Sequence, residues 1–161
     1  MKLEKLNDNA RIWIFQSDRE MNSAEIEKVN EALSRFVPQW AAHGNNLVSE
    51  FDVRNGYFIL IGVDESIHAA SGCSIDALTQ QIKLLGAHLG VDFFNRLNVA
   101  YEKDGSIHMA AMDVFKKMLQ RDEVNQNTIV FNNLVTSNGD LETNWRTPVN
   151  KSWHQTLIQV V

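Results

Sequence analysis

The 161-residue sequence contains a single cysteine, Cys73, so no disulfide can form within the chain. That fits a reducing compartment. Basic residues are also in short supply: 15 Lys and Arg stand against 20 Asp and Glu, a formal net charge of −5. No run of them forms a cationic stripe. Nucleic acid is therefore not expected as a partner, because phosphate neutralisation needs clustered cations. The cluster Lys116, Lys117 and Arg121 reads as a solvated helix face. No apolar run approaches the ~20 residues of a membrane helix. The start, MKLEKLNDNARIWIF, lacks the apolar core and small-residue cleavage site of a signal peptide. The expectation is a cytoplasmic protein with no membrane partner. The five histidines, His43, His68, His88, His108 and His154, show no H-x-x-x-H pair. With one cysteine, neither a structural zinc site nor any other metal site is expected, and no cofactor is implied. Neither G-x-x-x-x-G-K-[ST] nor G-x-G-x-x-G occurs, which disfavours nucleotide hydrolysis.

What is present is an ordinary globular balance, 44% apolar and 22% charged, enough for one α+β domain over residues 1–161. Disorder is expected only in the first ten residues and in polar loops. RIWIF (11–15) reads as a buried strand. A helix follows, capped by Ser23, with Ile26, Val29, Leu33, Phe36/Val37 and Trp40 on one face. Pro38 is expected to kink or end it near Phe36, and HGNN (43–46) closes the segment as a helix terminus. LVSEFDV (47–53) alternates as an edge strand does, RNG (54–56) turns, and YFILIGV (57–63) is apolar throughout, as a central strand is. Ile75, Leu78, Ile82, Leu85 and Leu89 define a second helix, with Gly90 at its C-terminal cap. LNVAYE (97–102) is another edge-like strand, and KDG (103–105) turns it back into SIHMAAM. A helix over 113–121, a strand over 128–135, and a closing helix or strand over 150–161 complete the chain.

The order through residue 102 is β-α-β-β-α-β, the ferredoxin-like split βαβ pattern. The first and third strands, both continuously apolar, are expected side by side and parallel at the centre, with the second and fourth outside. The C-terminal β/α extension, residues 106–161, then extends this sheet or covers its second face. A homodimer contact is the alternative cover.

Parallel central strands would bring Gln16 and Arg19, after the first, to Asp64, Glu65, His68 and the Ser71-Gly72-Cys73-Ser74 turn, after the third. Cys73 at a helix start would feel the positive end of the helix dipole. His68 is then a candidate base, and Asp64, Glu65 or Asp76 an acidic partner. The competing and favoured reading has Ser71 or Ser74 as a helix cap, Asp76 in the first turn, and Cys73 packed as a small hydrophobe. A turn of this kind also suits an anion, which makes Gln16, Arg19, Ser71, Gly72 and Ser74 candidate ligand-binding residues. The residues thus favour a non-catalytic domain binding a small ligand, anionic ones included, or a protein partner. The alternative is a thiol-dependent or acid–base enzyme on Cys73 and His68 with Asp64 or Glu65.

The stretches RIWIFQS, WAAHG, VDESIHAASGCSID and SWH resemble a family of short bacterial proteins of unknown function. The resemblance covers nearly the whole chain. Some members of that family carry the label "ABC transporter ATPase". The resemblance implies no activity and no catalytic residue. The label conflicts with this sequence, which has neither a Walker A lysine nor an LSGGQ-like signature.

Overall fold

Phe58–Val63 is the most apolar stretch of the chain, and every one of its residues is buried. The computed structural model, which describes residues 2–158, makes it the middle of a three-stranded antiparallel sheet. In chain order the strands are β1 (Arg11–Gln16), β2 (Ala41–Ala42), β3 (Asn45–Asn46), β4 (Ser49–Arg54), β5 (Phe58–Val63), β6 (Asn98–Lys103), β7 (Ser106–Ala111), β8 (Ile129–Phe131) and β9 (Arg146–Pro148). The main helices are α1 (Ser23–Phe36), α2 (Gly72–Leu89) and α3 (Met112–Gln120). The protein is of the α+β class. It divides into two compact units, Met1–Asn95 with Thr136–Gly139, and Arg96–Val135 with Asp140–Val161.

In the first unit the sheet order is β1-β5-β4. Asn55 and Gly56, both at positive φ, turn β4 back onto β5. Helix α1 begins at Asn22, not Ser23. The Asn22 side chain accepts from the Glu25 amide and the Glu25 carboxylate accepts from the Asn22 amide, a complete capping box. Helices α1 and α2 bury Val29, Leu33, Leu78, Ile82 and Leu85 with Ile59, Ile61 and Val63 of β5. Gly90 ends α2 in the left-handed conformation. The other face of β5 is met by the N-terminal segment: Gly62 leaves a notch that Leu3 and Leu6 fill. Residues 3–10 are therefore placed, against the expectation of disorder, with Leu3, Leu6 and Ala10 buried.

Three strands of the expected sheet are present, with the first and third adjacent, but two expectations, parallel central strands and a fourth strand in the same sheet, are overturned. Strand β1 runs antiparallel to β5, from Arg11↔Val63 to Gln16↔Phe58. The cause is simple chain geometry. A helical crossover returns β4 parallel to β1, and the hairpin then reverses β5. The expected fourth strand, β6, belongs to the other unit. β1 is thus an edge strand, closed on its outer side by a bridge between Arg11 and Ser137.

The second unit is a four-stranded antiparallel sheet of order β7-β6-β8-β9. Beyond the bridge at Ser137, residues 106–158 add no strand to the first sheet; β7, β8 and β9 enclose β6 in a sheet of their own. Asp104 and Gly105, both at positive φ, form the two-residue turn between β6 and β7. Val99, Tyr101, Phe115, Val124, Val130 and Val149 make its core. The strand expected over 128–135 shortens to Ile129–Phe131, and the closing segment forms 3-10 turns at Val149–Lys151 and Trp153–Leu157. Residues 159–161, part of that expectation, lie outside the described residues. Among the described residues no helix is long and apolar enough to cross a membrane.

His154 is 1% exposed, stacked on Trp153, with Nδ1 2.6 Å from Ser152 Oγ. Burial lowers its pKa from 6.5 to about 4. The unfolded chain takes up this proton from about pH 6.5 downward, the folded chain only near 4. Stability should therefore fall as pH drops through that window, by about 3 kcal/mol in all. Urea unfolding at pH 7, 5.5 and 4.5 checks it, and His154→Gln should flatten the dependence above pH 4.5. A second expectation concerns Gly86, where a β-carbon would lie 2.6 Å from the Val91 carbonyl oxygen. Gly86→Ala should cost ~1–3 kcal/mol in urea unfolding, although alanine is the better helix former.

Candidate functional site

The turn into α2 is built by two serines. Ser71, extended at φ −94° and ψ 167°, is the N-cap. Its hydroxyl accepts from the Ser74 amide at 3.2 Å, and the Ser74 hydroxyl accepts from the Ser71 amide at 2.7 Å. The two hydroxyls also meet at 3.2 Å. This reciprocal box is why a helix starts at Gly72, and it occupies both hydroxyls. The capping reading of Ser71 and Ser74 therefore holds. Asp76 does not share in it, since the first turn carries no acidic residue. Gly72 and Cys73 are the first two helical residues, whose amides have no intrahelical acceptor. Gly72 has open space around it.

Cys73 is exposed, which corrects the expectation that it packs as a small hydrophobe. The buried stripe of α2, Ser74, Leu78, Ile82 and Leu85, begins at the next residue and does not include Cys73. It opens onto a groove of about 620 Å³ whose lining includes Phe36, Trp40, His43, Ser71, Cys73 and Ala77. Four elements position these groups. The end of α1 supplies Phe36. Trp40, 3% exposed, packs at 5.7 Å from Phe36 and 5.9 Å from Trp13, and its indole N–H donates to the Ser74 carbonyl at 2.8 Å. His43 belongs to the hairpin between β2 and β3 and not to a helix end. His43 and Gly44 form its two-residue turn, at φ 51° and 80°. The α2 start supplies the rest. The indole bond fixes one wall of the groove.

The convergence expected from parallel strands does not occur. Gln16 ends β1 opposite Phe58, the first residue of β5, whereas Asp64 and Glu65 follow its last residue. Arg19 donates to the Leu89 carbonyl at the far end of α2, at 2.9 Å. The helix runs eighteen residues from Gly72 to Leu89, which sets its ends about 26 Å apart at the α-helical rise. Arg19 is also clamped to Glu25 through two bonds of 2.9 and 2.8 Å. Those bonds from Arg19, with the amide of Asn22, hold the Glu25 pKa down to about 2. Arg19 is thus a structural tie between the β1–α1 loop, the start of α1 and the end of α2.

The remaining candidates close the loop before α2. Asp64 Oδ1 accepts from the Ser66 hydroxyl at 2.6 Å and the Ser66 amide at 3.0 Å. The hydroxyl first, then the amide, holds its carboxyl below the usual range. Glu65 accepts from the Ala70 amide at 2.9 Å and lies 3.8 Å from the Arg11 guanidinium. Both carboxylates are engaged in shaping the loop, and neither they nor the half-buried His68 lines the groove. The imidazole that shares the groove with the thiol is that of His43. Among the described residues no group of three or more His, Cys, Asp or Glu side chains could hold a metal ion.

No family model matches the chain. Neither a curated protein nor a solved structure is significantly similar to it.

Cys73 should react with a disulfide reagent such as DTNB in the folded protein within minutes at pH 8, without denaturant. Labelling that requires urea would contradict its position. Ser71→Ala should cost about 1 kcal/mol in urea unfolding through loss of the cap.

Proposed function

We propose that the chain is a non-catalytic cytoplasmic binding domain whose site is the groove at the start of α2. Its ligand is a small molecule with a flat apolar body and an anionic head. The observation that carries this reading is the groove itself. The aromatic wall of Phe36 and Trp40 faces a helix start whose Gly72 and Cys73 amides have no acceptor within the helix. An aromatic body can lie on the wall while a carboxylate meets those amides at the positive end of the helix dipole. The carboxylates expected to serve as acid or base are committed to loop hydrogen bonds, which supports binding over catalysis.

The second reading, a thiol-dependent enzyme on Cys73, has one observation in its favour: His43 lines the same groove. In that case His43, and not His68, would be the base. The pH profile of iodoacetamide alkylation separates the two. A simple exposed thiol gives a single rise near pH 8.5, and an imidazole-activated one gives a rate plateau reaching below pH 7.

Indole-3-acetate and benzoate serve as probes of the binding reading. Either, at about 1–10 mM, should slow DTNB labelling of Cys73 at least threefold and change Trp40 emission. This range is the weak affinity of small, partly matched ligands. Ala77→Phe, which fills the groove from α2, should abolish both effects. Protection that is unchanged in Ala77→Phe would refute the site, and equal protection by indole or benzene without the carboxylate would refute the anionic head.

A further inference from the structure

The segment before β1 is seated in a notch and held by one side chain. At Gly62, in the middle strand of the first sheet, a β-carbon would lie 2.6 Å from Leu6 Cδ1 and 2.8 Å from Leu3 Cδ2. A glycine in a central strand weakens it and marks a close approach by another part of the chain. Here the approaching parts are the two leucine tips. Behind them, Asn138 points its Nδ2 at three carbonyl oxygens of the same segment, Leu3 at 3.1 Å, Leu6 at 3.0 Å and Asn7 at 3.3 Å. The backbone continues the clamp: the Asn138 amide donates to the Ala10 carbonyl and the Gly139 amide to that of Asp8, both at 2.9 Å.

Asn138 is 5% exposed, and its Oδ1 is buried with no hydrogen-bond partner among the described residues. A buried acceptor without a donor is rare and calls for a reason. All of this side chain's bonding goes to the segment, and none of it to the scaffold around it. If the segment leaves, Nδ2 and Oδ1 both gain water. The segment's own backbone bonds, Leu6 to Leu3 and Ala10 to Asn7, are isolated single-turn bonds that open to water once the segment leaves its seat. The helix-covered face of the sheet has a separate core, in which neither Leu3, Leu6 nor Asn138 takes part.

We propose that residues 2–9 form a strap, latched by Asn138 and seated at Gly62, that opens without unfolding the helix-covered side of the first unit. Opening uncovers the Ile12 and Gly62 side of the sheet. The strap is the low-stability element of this unit in the sense of local unfolding.

Amide hydrogen exchange of the full chain tests this. In the parent protein, Leu6 and Ala10 should exchange at least tenfold faster than Leu78 in α2 and Ile61 in β5. Asn138→Asp sets a carboxylate against three carbonyl oxygens, and it should speed Leu6 and Ala10 by a further tenfold or more while leaving Leu78 unchanged. Gly62→Ala, which pushes on the leucine tips from the opposite side, should give the same pattern and hasten tryptic cleavage after Lys5. If Leu78 accelerates together with Leu6 in both variants, the strap is part of the core and the proposal fails. It fails equally if Leu6 and Ala10 exchange no faster than Leu78 in the parent, or remain protected in both variants.

Discussion

Strand β5 is buried along its whole length, and a strand buried on both faces must be covered twice. That constraint organises the first unit. One face is taken by α1 and α2, which arrive through the crossover from β1 and the loop after β5. The other is met at Gly62 by Leu3 and Leu6, which is why a glycine interrupts an otherwise large-residue strand. Remove the side chain at one position and a second segment can approach the backbone; add it back and that segment must move. The four residues Thr136–Gly139 serve the same end, since they pair with the start of β1 and hold the N-terminal residues in place.

The local elements could be read from the sequence wherever one rule dominated. Asn55-Gly56 and Asp104-Gly105 announced their turns because few other residues accept positive φ. The stripe from Ile75 to Leu89 and its Gly90 cap define the end of α2 to the residue, while its start is left between the two serine caps, Ser71 and Ser74. His43-Gly44 obeys the same turn rule, yet it follows a proline-ended helix and joins strands of only two residues, so no apolar alternation flagged it. Histidine is among the few non-glycine residues enriched at positive φ, and that was the available signal. Helix α1 is capped one residue before Ser23 because asparagine and serine are near-equal caps, and Glu25 three residues after Asn22 decides between them.

Sheet membership was less legible, for a physical reason. Alternation in LNVAYE says that a strand has two unlike faces, and says nothing about which neighbour it will have. β6 found its partners in β7 and β8, through a two-residue turn on one side and a longer return on the other. Direction, by contrast, was recoverable. One crossover followed by one hairpin requires β1 and β5 to be antiparallel, whatever their side chains. The supposed meeting of Gln16 and Arg19 with the Cys73 turn fell with that single sign. Arg19 has its own purpose at the opposite end of α2, where a guanidinium meets a helix carbonyl and the cap carboxylate Glu25 together.

The residues around Cys73 separate into those that build and those left over. Ser71 and Ser74 spend their hydroxyls on each other's amides, Asp64 and Glu65 spend their carboxylates on the loop, and the Trp40 indole spends its N–H on Ser74. What remains at the groove is the thiol of Cys73, the half-buried ring of Phe36 over the buried Trp40, the imidazole of His43 and the open end of a helix. Groups already bonded cannot gain much from a ligand, because each new bond costs an old one. Groups without such bonds can. On the proposed binding reading, recognition at this groove comes from apolar area and main-chain amides, and the polar side chains that first draw the eye in the sequence are the frame that holds them.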